Sequence, residues 1–369
     1  MATLRLEGIH KYYRSGKNVV HAVDDLNLDI ADGELLAVLG PSGCGKSSTM
    51  RMIAGLEAVT YGSIRMDGKE VNALSPAERN VALAFESYAL YQHMTVAENV
   101  GFCLASRGVP EAERTARVTE IARTLGIDGL LAARPGALSG GQQQLVSLSR
   151  AIVRKPNVIL LDEPISHLDT MTRLETSMRI RELHHRMRIT MVYVTHNQEE
   201  ALALADRIAI MEGGRLLQVG TRQEIIDSPL NTFVAAFVGE PAINLFPCQL
   251  QDSGGRVAAR AERSGFQVEL SPRQAQAMAR HGQGKVLVGL RPRDAYLSPP
   301  SNGAQSISGT LRYAEFLGES TNLGLELDQG EMLVASVTPT GRLERGSPCT
   351  VHLNPDRLLF FSPESGLRI

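Results

Sequence analysis

A glycine-rich stretch between an apolar run and a helix-forming segment decides the fold of this chain: Gly40-Pro41-Ser42-Gly43-Cys44-Gly45-Lys46-Ser47. It fits the pattern G-x-x-x-x-G-K followed by Ser or Thr, which means little unless a strand enters and a helix leaves. Both are indicated, since the apolar run 34–39 precedes the stretch and 48–54 has a helical pattern. Glycines let backbone N–H groups point inward, and the helix start adds partial positive charge. The stretch predicts a phosphate-binding loop; the alternative is an ordinary Gly-rich turn.

Side chains at the end of this loop and after a later strand suit nucleotide chemistry. Lys46 is expected to reach the outer phosphates, and the Ser47 hydroxyl to take one position on a magnesium ion. Asp162 and Glu163 end the apolar run 158–161, which is typical of a central strand covered on both faces. Alone they are an ordinary carboxylate pair. Beside a phosphate loop, the first acid is predicted to hold magnesium and the second to polarise the attacking water.

Two further stretches add candidate phosphate contacts. His196 follows the strand-like segment 190–195, where it is either a capped surface histidine or a hydrogen-bond partner of the γ-phosphate. The segment Leu138-Ser139-Gly140-Gly141-Gln142 places a serine and two glycines at a helix start. Such a start is an anion-binding site, so the chain has two of them.

Composition and charge limit the class of protein. The 369 residues allow two or three domains, and the formal net charge of −2 gives no support for a general nucleic-acid binder. Four scattered cysteines fit a reducing, cytosolic compartment. The first residues lack a signal-peptide pattern, and no apolar run reaches the length of a membrane span. A role at a membrane would therefore require a partner.

The chain predicts two domains of different texture. Strands alternate with helices over 1–240, which indicates an α/β domain with a largely parallel sheet, and a helical subdomain is expected at about 90–155. Residues 241–369 are rich in short alternating runs and turn signals. That texture predicts a small all-β barrel or sandwich.

The motifs together resemble the ATP-binding cassette (ABC) ATPases. The resemblance covers residues 13 to 196 and rests on the phosphate loop, 138–142, 160–164, the turn Ser166-His167-Leu168-Asp169, and Thr195-His196, in the family's order and spacing. It implies an α/β P-loop ATPase fold, with ATP and Mg²⁺ as ligands. Glu163 and His196 would be catalytic, and Ser47 and Asp162 would hold the metal.

The resemblance also implies a head-to-tail dimer. Each ATP would lie between two subunits. One subunit would contribute the loop 40–48, which includes Ser48, and the other would contribute the Ser-Gly-Gly motif. The side chains at 139–142 would therefore contact the partner chain's nucleotide, and Asp169 would belong to the family's D-loop. Tyr13 matches the aromatic residue that stacks on adenine, although Tyr12 and Tyr13 read equally well as strand residues. The segment 85–99 matches the region that receives a coupling helix from a transmembrane subunit.

The second part of the chain narrows the resemblance. Three segments look like segments of bacterial carbohydrate-uptake importer ATPases, such as the maltose and glycerol-3-phosphate types. They are the junction 231–244, Gly289-Leu290-Arg291-Pro292 and Glu315-Phe316-Leu317-Gly318. In these an oligonucleotide-binding-fold regulatory domain follows the cassette. Basic and acidic residues are nearly balanced over 241–369, so a dimerisation and regulatory module is favoured over nucleic-acid binding.

Some residues depart from the family pattern. The most consequential is Glu86, which stands where the family has a glutamine that touches magnesium and relays transporter movements. A carboxylate keeps an oxygen ligand but adds negative charge near a polyphosphate. We expect Glu86 to be ionised with Mg-ATP bound and hydrolysis to persist at a reduced rate. Leu145 replaces a usual arginine, and Asn197 a usual aspartate.

The resemblance implies the energising subunit of a solute importer at the cytoplasmic face of a bacterial cell membrane. Its partners would be a second copy or a related cassette, two transmembrane permease subunits and, indirectly, an extracytoplasmic solute-binding protein. A sugar, oligosaccharide or sugar-like solute is the first expectation. The alternatives are a polyamine, glycerol phosphate or inorganic ion, an exporter ATPase, or a non-transport cassette acting on DNA or ribosomes.

Overall fold

Two units divide the chain in the computed structural model, Met1–Glu224 and Ile225–Ile369. The described residues are 2–16, 18–85, 87–253, 256–263, 265–281, 284–300, 304–338 and 343–369. Within those ranges no helix combines the length and apolarity needed to cross a bilayer. The predicted domain boundary between residues 240 and 241 stays a prediction; the first long strand of the second unit begins at Asn244.

The first unit contains ten strands and most of the helices. Its strands are β1 (Leu4–Ser15), β2 (Asn18–Ile30), β3 (Leu35–Leu39), β4 (Tyr61–Met66), β5 (Lys69–Glu70), β6 (Val81–Ala84), β7 (Val158–Asp162), β8 (Thr190–Thr195), β9 (Arg207–Glu212) and β10 (Arg215–Gly220). Its helices are α1 (Lys46–Ala54), α2 (Val96–Ala105), α3 (Glu111–Leu125), α4 (Gly140–Ile152), α5 (Thr170–Met187) and α6 (Gln198–Leu204), while α7 (Arg222–Asp227) spans the division.

A six-stranded sheet of order β10-β9-β3-β8-β7-β6 forms the centre of this unit. The β9-β3, β3-β8, β8-β7 and β7-β6 pairs are parallel, and only β10 runs antiparallel. All residues of β3 and β8 are buried, as expected of strands covered on both faces. The predicted α/β fold with a largely parallel sheet is confirmed.

A second sheet of order β2-β1-β4-β5 is antiparallel. Its apolar face shares one core with α1 and the central sheet, through residues such as Leu4, Leu26 and Ile64. Helices α2, α3 and α4 lie within the range of about 90–155, where a helical subdomain stays a prediction, and Gly108 and Pro110 separate α2 from α3. Gly108 has φ 72°, a conformation that glycine adopts at little cost.

The second unit is built on two five-stranded antiparallel sheets, β13-β12-β11-β14-β20 and β15-β19-β16-β17-β18, which share one apolar core. The strands are β11 (Asn244–Ser253), β12 (Arg256–Ala261), β13 (Gln267–Glu269), β14 (Lys285–Leu290), β15 (Ala295–Tyr296), β16 (Gln305–Phe316), β17 (Thr321–Glu326), β18 (Met332–Val337), β19 (Pro348–Leu353) and β20 (Leu359–Phe361). Short helix α8 (Thr232–Phe237) precedes them, and α9 (Pro272–His281) lies between β13 and β14.

The sequence did not lead us to predict helix α9 in this β-rich part. Its start was readable, because Ser271 and Gln274 have the spacing of a capping box. In the structure the Ser271 backbone N–H donates to the Gln274 side-chain oxygen at 2.9 Å, and the Gln274 N–H donates to the Ser271 hydroxyl at 3.5 Å. One capped helix therefore belongs to the otherwise all-β domain.

Arg291, in the segment 289–292 singled out from the sequence, joins this segment to two short helices. Its guanidinium is buried and donates to the carbonyl oxygens of Ile226, Ala235 and Val238, which end α7 and α8. A cation at helix C-termini meets their negative dipole ends. Burial lowers the pKa of Arg291 to about 10, so it stays charged at neutral pH.

Candidate functional site

The neighbouring strands β3, β8 and β7 end at one edge of the central sheet, and the predicted site residues follow them there. The register pairs Leu39 with Thr195 and Asp162 with Val194. The phosphate loop after β3, His196 after β8 and Glu163 after β7 therefore leave the sheet side by side. Ligands bind at this edge in open α/β sheets. The structure brings these predicted residues together as the sequence indicated.

The loop at 40–47 takes its shape from glycines that have no room for a side chain. Gly45 has φ 102° and begins α1 without any side-chain cap. A Cβ on Gly45 would overlap the Ala22 carbonyl oxygen, and one on Gly40 would overlap the Met211 carbonyl oxygen. Because no side chain satisfies the first N–H groups of α1, they are left for an anion.

Lys46 is held by the loop itself. Its ammonium donates to the carbonyl oxygens of Gly40 at 2.7 Å and Pro41 at 2.9 Å, and the residue is 6% exposed. Burial raises the pKa of the neighbouring Cys44 thiol, which keeps it protonated. The next residue, Ser47, is exposed. Lys46 is thus a buried part of the loop whose ammonium bonds to two loop carbonyl oxygens.

The ring of Tyr13 is fixed beside the loop. Its hydroxyl contacts the Ser48 hydroxyl at 3.2 Å and donates to the Glu57 carboxylate. The Lys11 ammonium lies 4.8 Å from the ring centroid and also pairs with Glu57. Burial and the Glu57 hydrogen bond raise the pKa of Tyr13, so the ring stays neutral. The ring is 37% exposed, which leaves surface for a planar ligand.

Glu163 and His196 contact each other directly. The Glu163 Oε1 lies 2.9 Å from the His196 Nδ1, with the histidine 54% and the glutamate 25% exposed as side chains. Glu163 has φ 45°, which is unusual for a residue with a Cβ, and its N–H donates to the Val194 carbonyl oxygen. Such backbone strain is typical of functional positions. Asp162, one residue earlier, is half-buried at the end of β7.

The segment 138–142 contains hydrogen bonds between its own residues at the start of α4. The Ser139 hydroxyl accepts from the Gln142 N–H at 3.3 Å, and the Gln142 side-chain oxygen accepts from the Ser139 N–H at 2.9 Å, a complete capping box. A Cβ on Gly141 would overlap the Thr172 methyl group on α5. Gly140 would meet only side-chain ends, those of Leu168 and Tyr88. Ser139 is exposed, so this helix start faces outward within the described chain.

Asp169 caps α5 at the end of the turn that begins at Ser166. Its carboxylate accepts from the Thr172 N–H at 3.1 Å, and this bonding lowers the pKa of Asp169. Asn197 does the same for α6, accepting from the N–H groups of Glu199 and Glu200. Asparagine and aspartate are equivalent in this role, so Asn197 in place of the usual aspartate leaves the cap intact.

The predicted coupling residue Glu86 lies outside the described residues. The segment just after it is tied to α4, because Arg150 donates to the carbonyl oxygens of Tyr88 at 2.9 Å and Ala89 at 2.6 Å. Tyr88 and Ala89 both have positive φ, 54° and 47°. Arg150 therefore stabilises a strained segment next to Gly140.

Sequence reasoning missed the side chains that support these loops, above all the buried Glu200 and the half-buried Arg173. The spacing of Asn197 and Glu200 matches a capping box, which would send the Glu200 carboxylate back to the Asn197 N–H. In the structure it turns inward to Tyr193 and Thr195 instead. The apolar strand β8 contains these two hydroxyls, which was the available signal for a buried polar partner.

No group of three His, Cys, Asp or Glu side chains in the described ranges could hold a metal ion. The site instead offers single oxygen donors, the hydroxyl of Ser47 and the carboxylate of Asp162. Magnesium in phosphoryl-transfer sites is commonly held by one or two protein oxygens together with substrate phosphates and water. The donor chemistry of these residues fits that ion.

Three family models match the chain. Residues 23–166 match "ABC transporter", residues 239–294 match "MalK OB fold domain", and residues 288–361 match "TOBE domain". The first covers the phosphate loop, 138–142 and the Asp162–Glu163 pair, and the other two lie within the β-rich unit. The fold class expected from the sequence, an ABC ATPase followed by a small all-β domain, is confirmed.

Curated relatives match over nearly their whole length. The sn-glycerol-3-phosphate import ATP-binding protein UgpC 1 of Rhizobium johnstonii is 42% identical, over 99% of this chain and 96% of that protein. The oligosaccharides import ATP-binding protein MsmX of Bacillus subtilis is 39% identical over the full length of both. The xylose/arabinose import ATP-binding protein XacK of Haloferax volcanii is 40% identical, over 99% and 95%.

A solved structure of a dimeric ATP-binding cassette is similar to part of this chain. That cassette, in a post-hydrolysis state and bound to ADP and Pi, superposes with a TM-score of 0.53 at 29% identity. The match covers 59% of this chain and 98% of that cassette. The similarity thus extends through nearly the whole of that cassette.

Proposed function

This chain belongs to the ABC transporter family of ATP-binding proteins, and we propose that it powers import of a sugar or sugar-like solute by hydrolysing ATP. The observation that supports import is the full-length similarity to relatives named for import of sn-glycerol-3-phosphate, oligosaccharides and xylose/arabinose. It includes the β-rich unit, which matches the MalK OB fold and TOBE models. The binding of ATP and its hydrolysis follow from the family.

In the proposed site the phosphates of ATP lie in the loop 40–48, and adenine stacks on Tyr13. The uncapped N–H groups of α1 bind phosphate oxygens, and Lys46 leaves the Gly40 and Pro41 carbonyl oxygens to reach the outer phosphates. Charge-assisted hydrogen bonds from Lys46 to these phosphates offset the loss of its two hydrogen bonds to carbonyl oxygens. The contact between Tyr13 and Glu57 holds the ring in place for stacking.

Glu163 acts as the general base for water attack on the γ-phosphate. Its carboxylate oxygen accepts the water proton, and His196 is placed to hydrogen-bond the γ-phosphate on the same edge of the sheet. The 2.9 Å contact between them supports a shared task, since it places the base for the attacking water beside the side chain that would bind the γ-phosphate. A general base of this kind typically contributes about 10²- to 10⁴-fold to the rate.

Magnesium would be held by Ser47 and Asp162, with Glu86 as the third ligand proposed from the sequence. When bound, the ion neutralises charge on the β- and γ-phosphate oxygens. The exposed hydroxyl of Ser47 and the half-buried carboxylate of Asp162 are suitable oxygen donors.

The second half of each ATP site is proposed to come from another chain. Ser139, Gly140, Gly141 and Gln142 would contact the nucleotide bound by a second copy or a related cassette, and Asp169 would lie at the same interface. The similar solved cassette is dimeric. We further propose two transmembrane permease subunits, an extracytoplasmic solute-binding protein, and a location at the cytoplasmic face of the cell membrane, with no nucleic acid as partner.

Uptake in a strain lacking this chain tests the proposal. Labelled sn-glycerol-3-phosphate, an oligosaccharide, a pentose, a polyamine and an inorganic ion are compared after complementation with wild type, Glu163→Gln or Glu212→Gln. Glu212 is an exposed carboxylate at the end of β9 and serves as the matched control. We expect wild type and Glu212→Gln to restore uptake of one sugar-like solute and Glu163→Gln to fail. Uptake restored for sn-glycerol-3-phosphate, the polyamine or the ion alone would establish the alternative solute class.

A further inference from the structure

A buried carboxylate outside the proposed catalytic groups bonds to Thr195, the residue that precedes His196. Glu200 is 4% exposed, and its Oε2 accepts from the hydroxyl of Tyr193 at 2.8 Å and that of Thr195 at 2.9 Å. Burying a carboxylate is costly unless it is hydrogen-bonded or paired. These two hydroxyl donors satisfy one of its oxygens, and burial together with Glu200 raises the pKa of Tyr193 well above its ordinary value.

The Glu200 contact fixes the backbone on both sides of His196. Thr195 precedes the histidine, and its hydroxyl donates to Glu200 and accepts from the Asn197 N–H at 3.0 Å. The Glu200 side chain therefore restrains, through Thr195 and Asn197, the backbone that carries His196.

The other carboxylate oxygen faces the turn at 166–169. The Glu200 Oε1 lies 4.0 Å from the Arg173 Nε, and a second nitrogen of Arg173 donates to the Leu168 carbonyl oxygen at 2.9 Å. Among the described side chains, both the Nε and the Oε1 are buried atoms without a hydrogen-bond partner. A donor and an acceptor of opposite charge thus face each other about 1 Å beyond hydrogen-bond distance.

We propose that Glu200 and Arg173 are positioning residues that couple His196 to the turn at 166–169 by closing this gap when nucleotide is bound. The inference rests on the proposed function, in which that turn lies at the interface with a second ATP-binding chain. A shift of the turn moves Arg173 toward Glu200, and Glu200 transmits the shift through Thr195 to His196. Hydrolysis at one ATP then depends on the occupancy of the other.

Steady-state hydrolysis by the full-length chain in its assembled transporter tests the coupling. Glu200→Gln keeps the size and one acceptor oxygen but removes the charge, and Glu199→Gln changes an exposed neighbour in the same helical turn. For Glu200→Gln we expect kcat to fall about 5- to 150-fold, the range of ordinary coupling energies, while KM for ATP changes less than about twofold. The Hill coefficient for ATP should fall from about two toward one. Glu199→Gln should match wild type.

A double-mutant cycle distinguishes coupling from two separate structural roles. Arg173→Gln should reproduce the Glu200→Gln defect, and the double variant should be no worse than either single one, because residues that act as a unit are non-additive. Additive losses, or a wild-type Hill coefficient in Glu200→Gln, would overturn the proposal.

Amide hydrogen exchange keeps the inference separable from the proposed function. Glu200→Gln should increase exchange both at 195–197 and at 166–169, and Glu199→Gln at neither. A response at 195–197 alone would show that no coupling exists. If hydrogen exchange changes in Glu200→Gln and not in Glu199→Gln, but the wild-type chain does not hydrolyse ATP, the proposed function fails and the structural link stands.

Discussion

Helices α1 and α4 both begin where the proposed site needs phosphate contacts, but their first turns are satisfied in different ways. Helix α1 begins at Gly45 with no side-chain cap, and its shape depends on glycines pressed against neighbouring carbonyl oxygens. Helix α4 begins at Ser139 with a complete capping box. The first N–H groups of α1 are therefore suited to bind an anion. At the start of α4, an anion would have to share or replace the hydrogen bonds of the capping box.

This difference assigns separate tasks to two stretches of similar composition. In the proposed site the loop 40–47 binds phosphate within one chain, since Gly45 begins α1 without a side-chain cap. The start of α4 has its own capping box and is proposed to meet the nucleotide of another chain. A lone chain is therefore expected to bind ATP but to hydrolyse it poorly.

The largest expected effect is that of Gly45→Ala, which tests whether the α1 start is made by backbone alone. A Cβ there would overlap the Ala22 carbonyl oxygen, and a φ of 102° costs a further 1–2 kcal/mol or so for a residue with a side chain. ATP binding measured by calorimetry should weaken by at least about 100-fold, equivalent to roughly 2.7 kcal/mol. Gly68→Ala, with φ 74° and open space around it, is the control and should bind ATP normally. Normal binding by Gly45→Ala would remove the distinction between the two helix starts.

The next effect concerns the packing of α4 on α5. Gly141→Ala places a methyl group on the Thr172 methyl, and overpacking of this kind costs about 1–3 kcal/mol. Denaturant unfolding should show that loss, whereas Gly140→Ala should lose less, because its neighbours Leu168 and Tyr88 present flexible side-chain ends. Equal losses would mean that close packing does not set the position of the α4 start.

Ser139→Ala sharpens the comparison further. It removes an N-cap worth about 1 kcal/mol, and so does Thr95→Ala, which breaks the equivalent capping box of α2. Both variants should therefore lose similar stability in denaturant unfolding. In the assembled transporter Ser139→Ala alone should also lower hydrolysis about 10-fold, the value of one hydrogen bond to a charged group. A similar hydrolysis loss in Thr95→Ala would show that the cap, rather than a contact with the partner's nucleotide, is responsible.

The smallest effect is a pH dependence that the two capping boxes do not share. The Thr95 N–H and hydroxyl lower the pKa of Glu98 below its ordinary value of 4.5, whereas Gln142 does not titrate. The stabilisation by Glu98 is fully present above its unfolded pKa and is lost as the pH falls through the lower folded pKa. Thermal unfolding between pH 7 and 3 should be slightly less acid-sensitive in Glu98→Gln than in wild type. Gln142→Glu should make α4 more acid-sensitive, and an unchanged profile in both would contradict the assignment.

Most of the α/β fold and the main site stretches were predictable because they are local patterns. The phosphate loop is contiguous, and the apolar runs before Asp162 and His196 indicate buried strands whose ends meet at one sheet edge. Helix α9 escaped prediction although its capping box was readable, since the surrounding β pattern dominated the interpretation. The resemblance to ABC ATPases supplied roles that spacing alone leaves open, such as those of Tyr13 and Asp169.

Patterns of neighbouring residues were enough to identify the family, the fold class and the order of the predicted site motifs, because each depends on residues close together in the chain. How these motifs are supported follows from the packing of the folded chain. It placed Glu163 against His196, turned Glu200 inward toward Arg173, and left α1 uncapped but α4 capped. Such contacts join residues on different elements, and their geometry depends on how helices and strands pack, which no spacing along the chain specifies.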